Sequence, residues 1–244
     1  MNFFITTLFN ILNGCQKDDA TYRMAMGLLK CSYDIENISI NELANECEVS
    51  VSTLKRFMRK YDYSSYNIFR TMLVVQLDIR KKQMLHRLEM KDNNLTNSLL
   101  LKDRYHLDDN SIDNICLNIK KSNRVILIGS DEMISEFLRM QTDFYCMHKI
   151  VLKDEIYDKL FFNPQSDDYV IFLTMTGRIV DLNQGLLDKI NKNNPKILTI
   201  GYKNYGGQEF LPIPKNQGEL VENTVLDYYV QMISYTYMGN YYDN

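Results

Sequence analysis

The segment SINELANECEVSVSTLKRFMRK, residues 39–60, has the pattern of two short amphipathic helices joined by a tight turn. Ser39 and Glu42 have the spacing of a capping box, in which each side chain accepts a hydrogen bond from the backbone N–H of the other residue. The first helix is therefore predicted to begin directly after Ser39. Ser50 is a second N-cap candidate, so the next helix is predicted from Val51. This arrangement is typical of a helix-turn-helix element.

The second helix of this segment has an apolar face and a cationic face. Its apolar residues recur at helical spacing and are predicted to be buried: Val51, Leu54, Phe57 and Met58. The other face carries short hydroxyls near its N-terminal end and long cations beyond them: Ser52, Thr53, Lys55, Arg56, Arg59 and Lys60. This combination suits the major groove, because the first turn approaches base edges while the cations reach phosphates. Arg56 is the predicted bidentate base contact.

Positive charge is concentrated around this helix. From Ser50 to Arg87 there are nine Lys or Arg and two acids, although the whole 244-residue chain has a net charge of −3. Residues 1–91 hold 13 basic and 10 acidic residues, whereas 92–244 hold 15 and 21. Only the N-terminal part therefore suits a polyanion. A basic helix face is nevertheless often only a solvated surface, and helix-turn-helix shapes also occur in proteins that do not bind DNA.

The hydrophobic pattern divides the chain into two parts. Residues 1–91 show helical spacing without a strand pattern, and a segment rich in Asn and Asp, 92–110, is the predicted linker. In residues 111–244, helical segments separate four apolar runs, each predicted to be a strand: 124–129, 149–152, 168–174 and 196–201. Near-continuous apolar runs indicate strands buried on both faces, as in a parallel sheet between helix layers. The predicted fold class is an all-helical domain followed by an α/β domain.

Several classes of protein are excluded by composition. The five cysteines have no CxxC pair and no zinc-like spacing with the three histidines, so we expect a reducing, cytosolic compartment and neither metal nor cofactor. No apolar run reaches the roughly 18 residues that a membrane span needs. The apolar opening, MNFFITTLFNILNG, lacks the features of a signal peptide. It is interpreted as an amphipathic arm or helix that could contribute a dimer contact.

Two of the predicted strands end in hydroxyl- and glycine-bearing turns. Gly129-Ser130-Asp131 follows the first run, and Thr174-Met175-Thr176-Gly177 follows the third. Ligands of open parallel sheets bind beyond the carboxyl ends of the strands, and each turn precedes a predicted helix, which favours a phosphate. The same residue types also suit any turn from a strand into a helix, so both interpretations stay open.

The order of these features resembles the RpiR/MurR family of bacterial transcriptional regulators. The resemblance covers roughly residues 20–235 and rests on four stretches: ELANECEVSVSTLKRF (42–57), YDYSSYNIF (61–69), RVILIGS (124–130) and TMTGRIVDL (174–182). It implies an N-terminal winged-helix-like DNA module and a C-terminal sugar isomerase (SIS) domain that binds phosphosugars without needing to convert them.

The resemblance also implies roles for individual residues. Four positions match the recognition-helix pattern of the family: Ser50, Ser52, Thr53 and Arg56. Their basic neighbours are assigned to DNA phosphates on charge alone: Lys55, Arg59 and Lys60. In the SIS-like part, Ser130 matches the serine of the first phosphate loop. The second phosphate loop corresponds to Thr174, Thr176 and Gly177.

The phosphate loops depart from the family pattern, and the first has lost one of its customary glycines and a second serine. Asp131 stands where a hydroxyl is common, and its carboxylate would repel a phosphate. Ile179 replaces the final threonine of the second loop, although Arg178 could return positive charge. The SIS-like part is therefore expected either to bind an unusual ligand or to serve mainly for dimerisation.

The expected function is a DNA-binding transcriptional regulator of sugar or amino-sugar metabolism, controlled by a phosphosugar effector. It would bind double-stranded DNA at an imperfect palindromic operator as a homodimer or homotetramer. One alternative is a DNA-binding protein whose degenerate SIS domain only dimerises. The other is a sugar-phosphate isomerase, whose chemistry needs a carboxylate base with a histidine. Catalysis is not expected, because no strand-end loop contains one of the histidines: His86, His106 and His148.

Overall fold

The computed structural model describes residues 4–14, 19–89, 109–129, 137–155, 162–215 and 218–242. The chain forms two compact units, divided between His86 and Arg87. The predicted linker, 92–110, lies outside the described residues except for its last two positions.

The described residues of the first unit contain helices and no strand, as the sequence pattern predicts. The helices are α1 (Phe4–Gly14), α2 (Ala20–Cys31), α3 (Ile40–Glu46), α4 (Val51–Lys60) and α5 (Tyr66–Glu89), with a short 3-10 helix at Ser32–Asp34. The last three residues of α5 lie beyond the division between the units. Helix α2 packs against both α1 and α3, and α3 packs against α4.

Local side-chain bonds determine where α3 and α4 begin. The Ser39 hydroxyl accepts a bond from the Glu42 N–H at 3.3 Å, and the Glu42 carboxylate accepts one from the Ser39 N–H at 2.8 Å. The predicted capping box is therefore confirmed. Ser50 caps α4 by accepting a bond from the Thr53 N–H at 3.2 Å. Between the two helices, Glu48 has a φ of 52° and turns the chain in the left-handed region.

The N-terminal helix contributes to the core of this unit. Its buried side chains are Phe4, Ile5, Leu8, Phe9 and Leu12, so the predicted amphipathic helix is confirmed. The ring of Phe4 makes edge contacts with four other rings at centroid distances of 5.3–6.4 Å: Phe57, Tyr61, Tyr63 and Phe69. This cluster joins α1 to the buried side of α4 and to the start of α5.

The second unit contains a five-stranded sheet and helices. The strands are β1 (Val125–Gly129), β2 (Val151–Glu155), β3 (Tyr169–Thr174), β4 (Lys196–Gly201) and β5 (Glu209–Pro212). The helices are α6 (Asp109–Lys121), α7 (Leu138–Cys146), α8 (Arg178–Leu182), α9 (Leu186–Asn191) and α10 (Glu219–Asn240). Helix α10 packs against α6 and α7.

The predicted parallel sheet is confirmed. The strand order is β2-β1-β3-β4-β5, and every neighbouring pair is parallel. Every residue of β1 and β3 is buried. Because successive side chains of a strand point to opposite faces, both faces of the sheet are covered at these strands. Two details differ from the prediction: β2 lies later than 149–152, and β5 was not anticipated.

The strand order creates a switch point between β1 and β3. From β1 the chain moves outward to β2 and then returns to the other side of β1 to form β3, from which β4 and β5 extend. In sheets of this order, ligands bind in the crevice at the carboxyl ends of the two strands that flank the switch point. Here those ends are Gly129 and Thr174.

Candidate functional site

Helix α4 presents its cationic face to solvent. Leu54, Phe57 and Met58 are buried on the opposite side. The predicted DNA-contacting residues are exposed, apart from the half-buried Thr53: Ser50, Ser52, Lys55, Arg56, Arg59 and Lys60. The structure thus brings these side chains together on one accessible surface, which we call the α4 face.

The cations of the α4 face remain available. Among the described residues, Lys55, Arg56 and Arg59 have no ion-pair or hydrogen-bond partner, and Lys60 lies only over the Tyr61 ring, at 5.8 Å. Two other cations of this unit are engaged: Arg70 donates to the Glu36 carbonyl at 3.0 Å, and Lys82 pairs with Asp78. Unpaired cations on one side of a helix suit a polyanionic partner.

Three hydroxyls cluster at the N-terminal end of α4. The Ser50 Oγ lies 2.8 Å from the Ser52 Oγ and 2.9 Å from the Thr53 Oγ1. Hydroxyl groups both donate and accept, so this cluster can exchange its internal bonds for bonds to a base edge or a phosphate. Exposure at a helix N-terminal end is the placement by which a reading helix contacts bases.

The turn that leads into α4 is anchored to α2. Cys47 is fully buried, and its thiol donates to the Met24 carbonyl at 3.6 Å. Burial raises the pKa of this thiol to about 12, so Cys47 is neutral near pH 7. Glu48 pairs with Arg23 at 3.3 Å. These contacts attach the turn before α4 to α2.

The second candidate site is the loop at the carboxyl end of β3, Thr174–Gly177, which we call the β3 loop. Thr174 is buried and Thr176 is exposed. Two backbone amides here are engaged: the Gly177 N–H donates to the Thr174 Oγ1 at 3.1 Å, and the N–H of the next residue, Arg178, donates to the Thr176 Oγ1 at 3.3 Å. Ser130, the matching residue after β1, lies outside the described residues.

The loop after β4 lies beside the β3 loop. The sequence pattern did not predict that this second loop belongs to the site. The Tyr205 hydroxyl donates to the Thr176 carbonyl at 3.0 Å, and the Tyr202 N–H donates to the Met175 carbonyl at 3.1 Å. Burial and a hydrogen bond to Glu222 raise the pKa of Tyr202 to about 12. The rule that strand-end residues form the site could have found Tyr202, which follows β4 directly, whereas Tyr205 comes three residues later.

The isomerase alternative would need a carboxylate base together with a histidine at this edge of the sheet. No histidine occurs in the described β3 loop or in residues 202–208. His148 precedes β2 and therefore lies toward the opposite edge of the sheet, with its ring against Tyr242 at 6.1 Å. His106, Glu132 and Glu136 lie outside the described residues. The helices that are described include none with the length and apolar character of a membrane span.

No family model matches the sequence, and no curated protein matches it either. Several solved structures are similar to the chain, including one from Vibrio vulnificus and one from Methanococcus jannaschii. The Vibrio vulnificus NanR protein complexed with ManNAc-6P is 16% identical, with a TM-score of 0.46 over 97% of this chain and 92% of that chain. A hypothetical protein from Methanococcus jannaschii, for which a 3-hexulose-6-phosphate isomerase function was inferred, is 15% identical, with a TM-score of 0.44 over 63% of this chain and 90% of that chain.

Proposed function

We propose that this protein is a sequence-specific DNA-binding transcriptional regulator of the RpiR/MurR type. The observation that carries the proposal is the α4 face, on which Lys55, Arg56 and Arg59 are exposed and unpaired among the described residues. Leu54, Phe57 and Met58 anchor the opposite side of the helix. A helix held in this way can enter a major groove, which is about 12 Å wide, without unfolding.

The cations of the α4 face are proposed to have two different roles in DNA recognition. Arg56 reads a base, because a guanidinium can make two bonds to the O6 and N7 of a guanine. Lys55, Arg59 and Lys60 bind phosphates and determine position rather than sequence. Helix-turn-helix proteins bind as dimers with half-sites about one helical turn or a multiple apart. We therefore propose a homodimer or homotetramer on an imperfect palindrome.

The α/β unit is proposed to be a SIS-like domain that senses a phosphosugar. The support is the sequence resemblance together with a parallel sheet whose switch point lies between β1 and β3. A ligand at this edge would regulate DNA binding if its affinity differs between two arrangements of the protein. Conversion of the ligand is not proposed, because the described strand-end loops hold no histidine.

A second candidate function is DNA binding without an effector. It is favoured by one observation: the Gly177 and Arg178 amides already bond to threonine hydroxyls of the same loop. In that case the α/β unit would only dimerise. Operator affinity that stays constant across a panel of hexose and aminohexose phosphates would support this candidate, whereas a change in affinity with one of them would support the effector.

The DNA-binding proposal is tested by selecting duplexes from a randomised pool and measuring their affinity by fluorescence anisotropy. We expect a shared, imperfectly palindromic sequence and an affinity that falls steeply as salt rises. The double variant Arg56→Ala/Arg59→Ala should lose most of this binding. Lys192→Ala, which removes an exposed cation of the α/β unit, is the matched control and should bind normally. Failure of the wild-type chain to bind any duplex at low salt would overturn the proposal.

A further inference from the structure

Tyr205 closes over the β3 loop. Its hydroxyl donates to the Thr176 carbonyl at 3.0 Å. The same hydroxyl occupies the place that a Cβ atom on Gly177 would take. Gly177 also has a φ of 80°. Only glycine fits here, because the backbone is left-handed and the neighbouring space is filled by the tyrosine.

The Tyr205 ring is held on two sides. The edge of the ring meets the Phe172 ring of β3 at a centroid distance of 6.5 Å. The Lys203 Nζ lies 4.7 Å from the centroid of the Tyr205 ring, within the range of a cation–π contact. The contacts of the ring therefore orient the side chain whose hydroxyl makes the bond to Thr176.

The segment that carries Tyr205 has its own internal structure. Asn204 bonds Gly207 twice at 2.8 Å, with its side-chain oxygen accepting from the N–H and its amide donating to the carbonyl. The segment is attached to the β3 loop at two points, through the Tyr202 backbone and the Tyr205 side chain. The second point can open while the backbone bond of the first is kept, because it involves a single side chain.

We propose that Tyr205 is a latch that holds the β3 loop closed, and that ligand binding at this edge requires the latch to open. The inference rests on the proposed function, since it concerns regulation of the same site. In the closed state the Gly177 and Arg178 amides bond to threonine hydroxyls of this loop, and the Thr176 carbonyl accepts from Tyr205. Opening frees the Thr176 carbonyl and the surface above Gly177, and it releases residues 203–207 to move.

The latch couples ligand binding to a movement of residues 203–207 in the connection between β4 and β5. If a ligand binds only the open state, its apparent affinity falls as the fraction of closed molecules rises. Its binding must in turn shift the population toward the open state. The connection between β4 and β5 would then carry the signal away from the site. This is how the α/β unit would report occupancy.

Amide hydrogen exchange tests the latch without a ligand. In Tyr205→Phe, which keeps the ring and removes the hydroxyl, we expect the Gly177 and Arg178 amides to exchange about three- to tenfold faster, the effect of losing one hydrogen bond. Tyr202→Phe is the matched control: it removes the other hydroxyl of this segment, which bonds Glu222, and should leave these amides unchanged. Unchanged exchange in Tyr205→Phe would overturn the latch.

Calorimetric titration with hexose and aminohexose phosphates tests the coupling. Tyr205→Phe should bind a responsive phosphosugar tighter by about the same factor as its exchange increases, whereas Tyr202→Phe should match the wild type. Weaker binding by Tyr205→Phe would overturn the latch and make Tyr205 a ligand contact. If neither the wild type nor a variant binds any phosphosugar, the effector part of the proposed function fails. The proposal that ligand binding opens the latch is then overturned as well. The exchange data still decide whether Tyr205 closes the loop.

Discussion

Gly27 of α2 lies against Cys47 in the turn before α4. A Cβ atom on Gly27 would be 2.7 Å from the Cys47 Cα and 2.8 Å from both the Cys47 Sγ and the Glu46 carbonyl oxygen. Carbon atoms do not approach backbone atoms this closely, so a side chain here would push α2 and the turn apart. The missing side chain of Gly27 thus determines how close the turn, and with it the start of α4, lies to the rest of the unit.

Gly27→Ala should destabilise the helical unit. Overpacking of this kind costs about 1–3 kcal/mol, which exceeds the roughly 0.5–1 kcal/mol that alanine gains over glycine within a helix. Gly239→Ala in α10 is the matched control, because nothing lies within 4 Å of its Cβ position, and it should be neutral or slightly stabilising. Urea unfolding followed by circular dichroism measures both. Equal stability of the two variants would contradict the close approach.

Arg56 and Lys60 should have different effects on DNA binding. Arg56→Ala should cost about 1–3 kcal/mol at one base position and relax specificity there. Lys60→Ala should weaken all duplexes similarly and reduce the salt dependence by about one phosphate contact. Anisotropy titrations against the selected operator, its single-base variants and an unrelated duplex separate these outcomes. If Arg56→Ala lowered specific and non-specific affinity equally, Arg56 would be a phosphate contact.

The ion pair between Arg124 and Asp168 should stabilise the α/β unit. Arg124 donates two bonds to Asp168, at 2.9 and 2.6 Å, and the Asp168 side chain is fully buried while that of Arg124 is 35% exposed. Asp168→Asn should lower the free energy of unfolding by about 2–3 kcal/mol. This is less than the cost of breaking a fully buried pair, because Arg124 is partly exposed to solvent. Asp78→Asn breaks an exposed pair with Lys82 and should change the free energy of unfolding by less than about 0.5 kcal/mol. Similar losses in the two variants would refute this difference.

Cys47 should resist alkylation in the folded protein. Burial raises the pKa of its thiol to about 12, so the neutral form predominates near neutral pH. An ordinary thiol has a pKa of about 8.5 and ionises when the pH is raised from about 7 to 9, whereas Cys47 stays neutral. Iodoacetamide labelling followed by peptide mass spectrometry should find Cys47 unmodified at both pH values and modified in guanidinium chloride. Labelling of Cys47 in the native chain at pH 8 would mean that the turn before α4 opens.

Local signals explain why much of the helical unit could be predicted. Helix α4 runs from Val51 to Lys60 as expected, because both its cap at Ser50 and its apolar spacing are encoded within one short segment. The exposure of Arg56 follows from the same spacing. The aromatic cluster around Phe4 could not be read from the sequence, because its partners come from distant segments.

The sheet shows where local pattern becomes insufficient. Strand β2 extends through Lys153 and Asp154, which are polar yet buried. The Asp154 carboxylate accepts a hydrogen bond at 2.7 Å from the N–H of Phe162, which lies beyond the end of the strand. Strand β5, EFLP, is short and ends in Pro212, so its sequence does not distinguish it from a loop. Tyr205 was missed for a related reason, since its contact with Thr176 joins loops after two different strands.

The all-parallel pairing of the sheet has a consequence for the order of folding during synthesis. Among the described strands no two form a hairpin, so each pairing must wait for a connection that returns the chain to the same edge, which is slow. The helical unit leaves the ribosome first and depends largely on neighbouring segments, so we expect it to fold while the strands are still being made. In refolding experiments with pulsed hydrogen labelling, amides of 19–89 should be protected before those of β3; the reverse order would exclude this sequence of events.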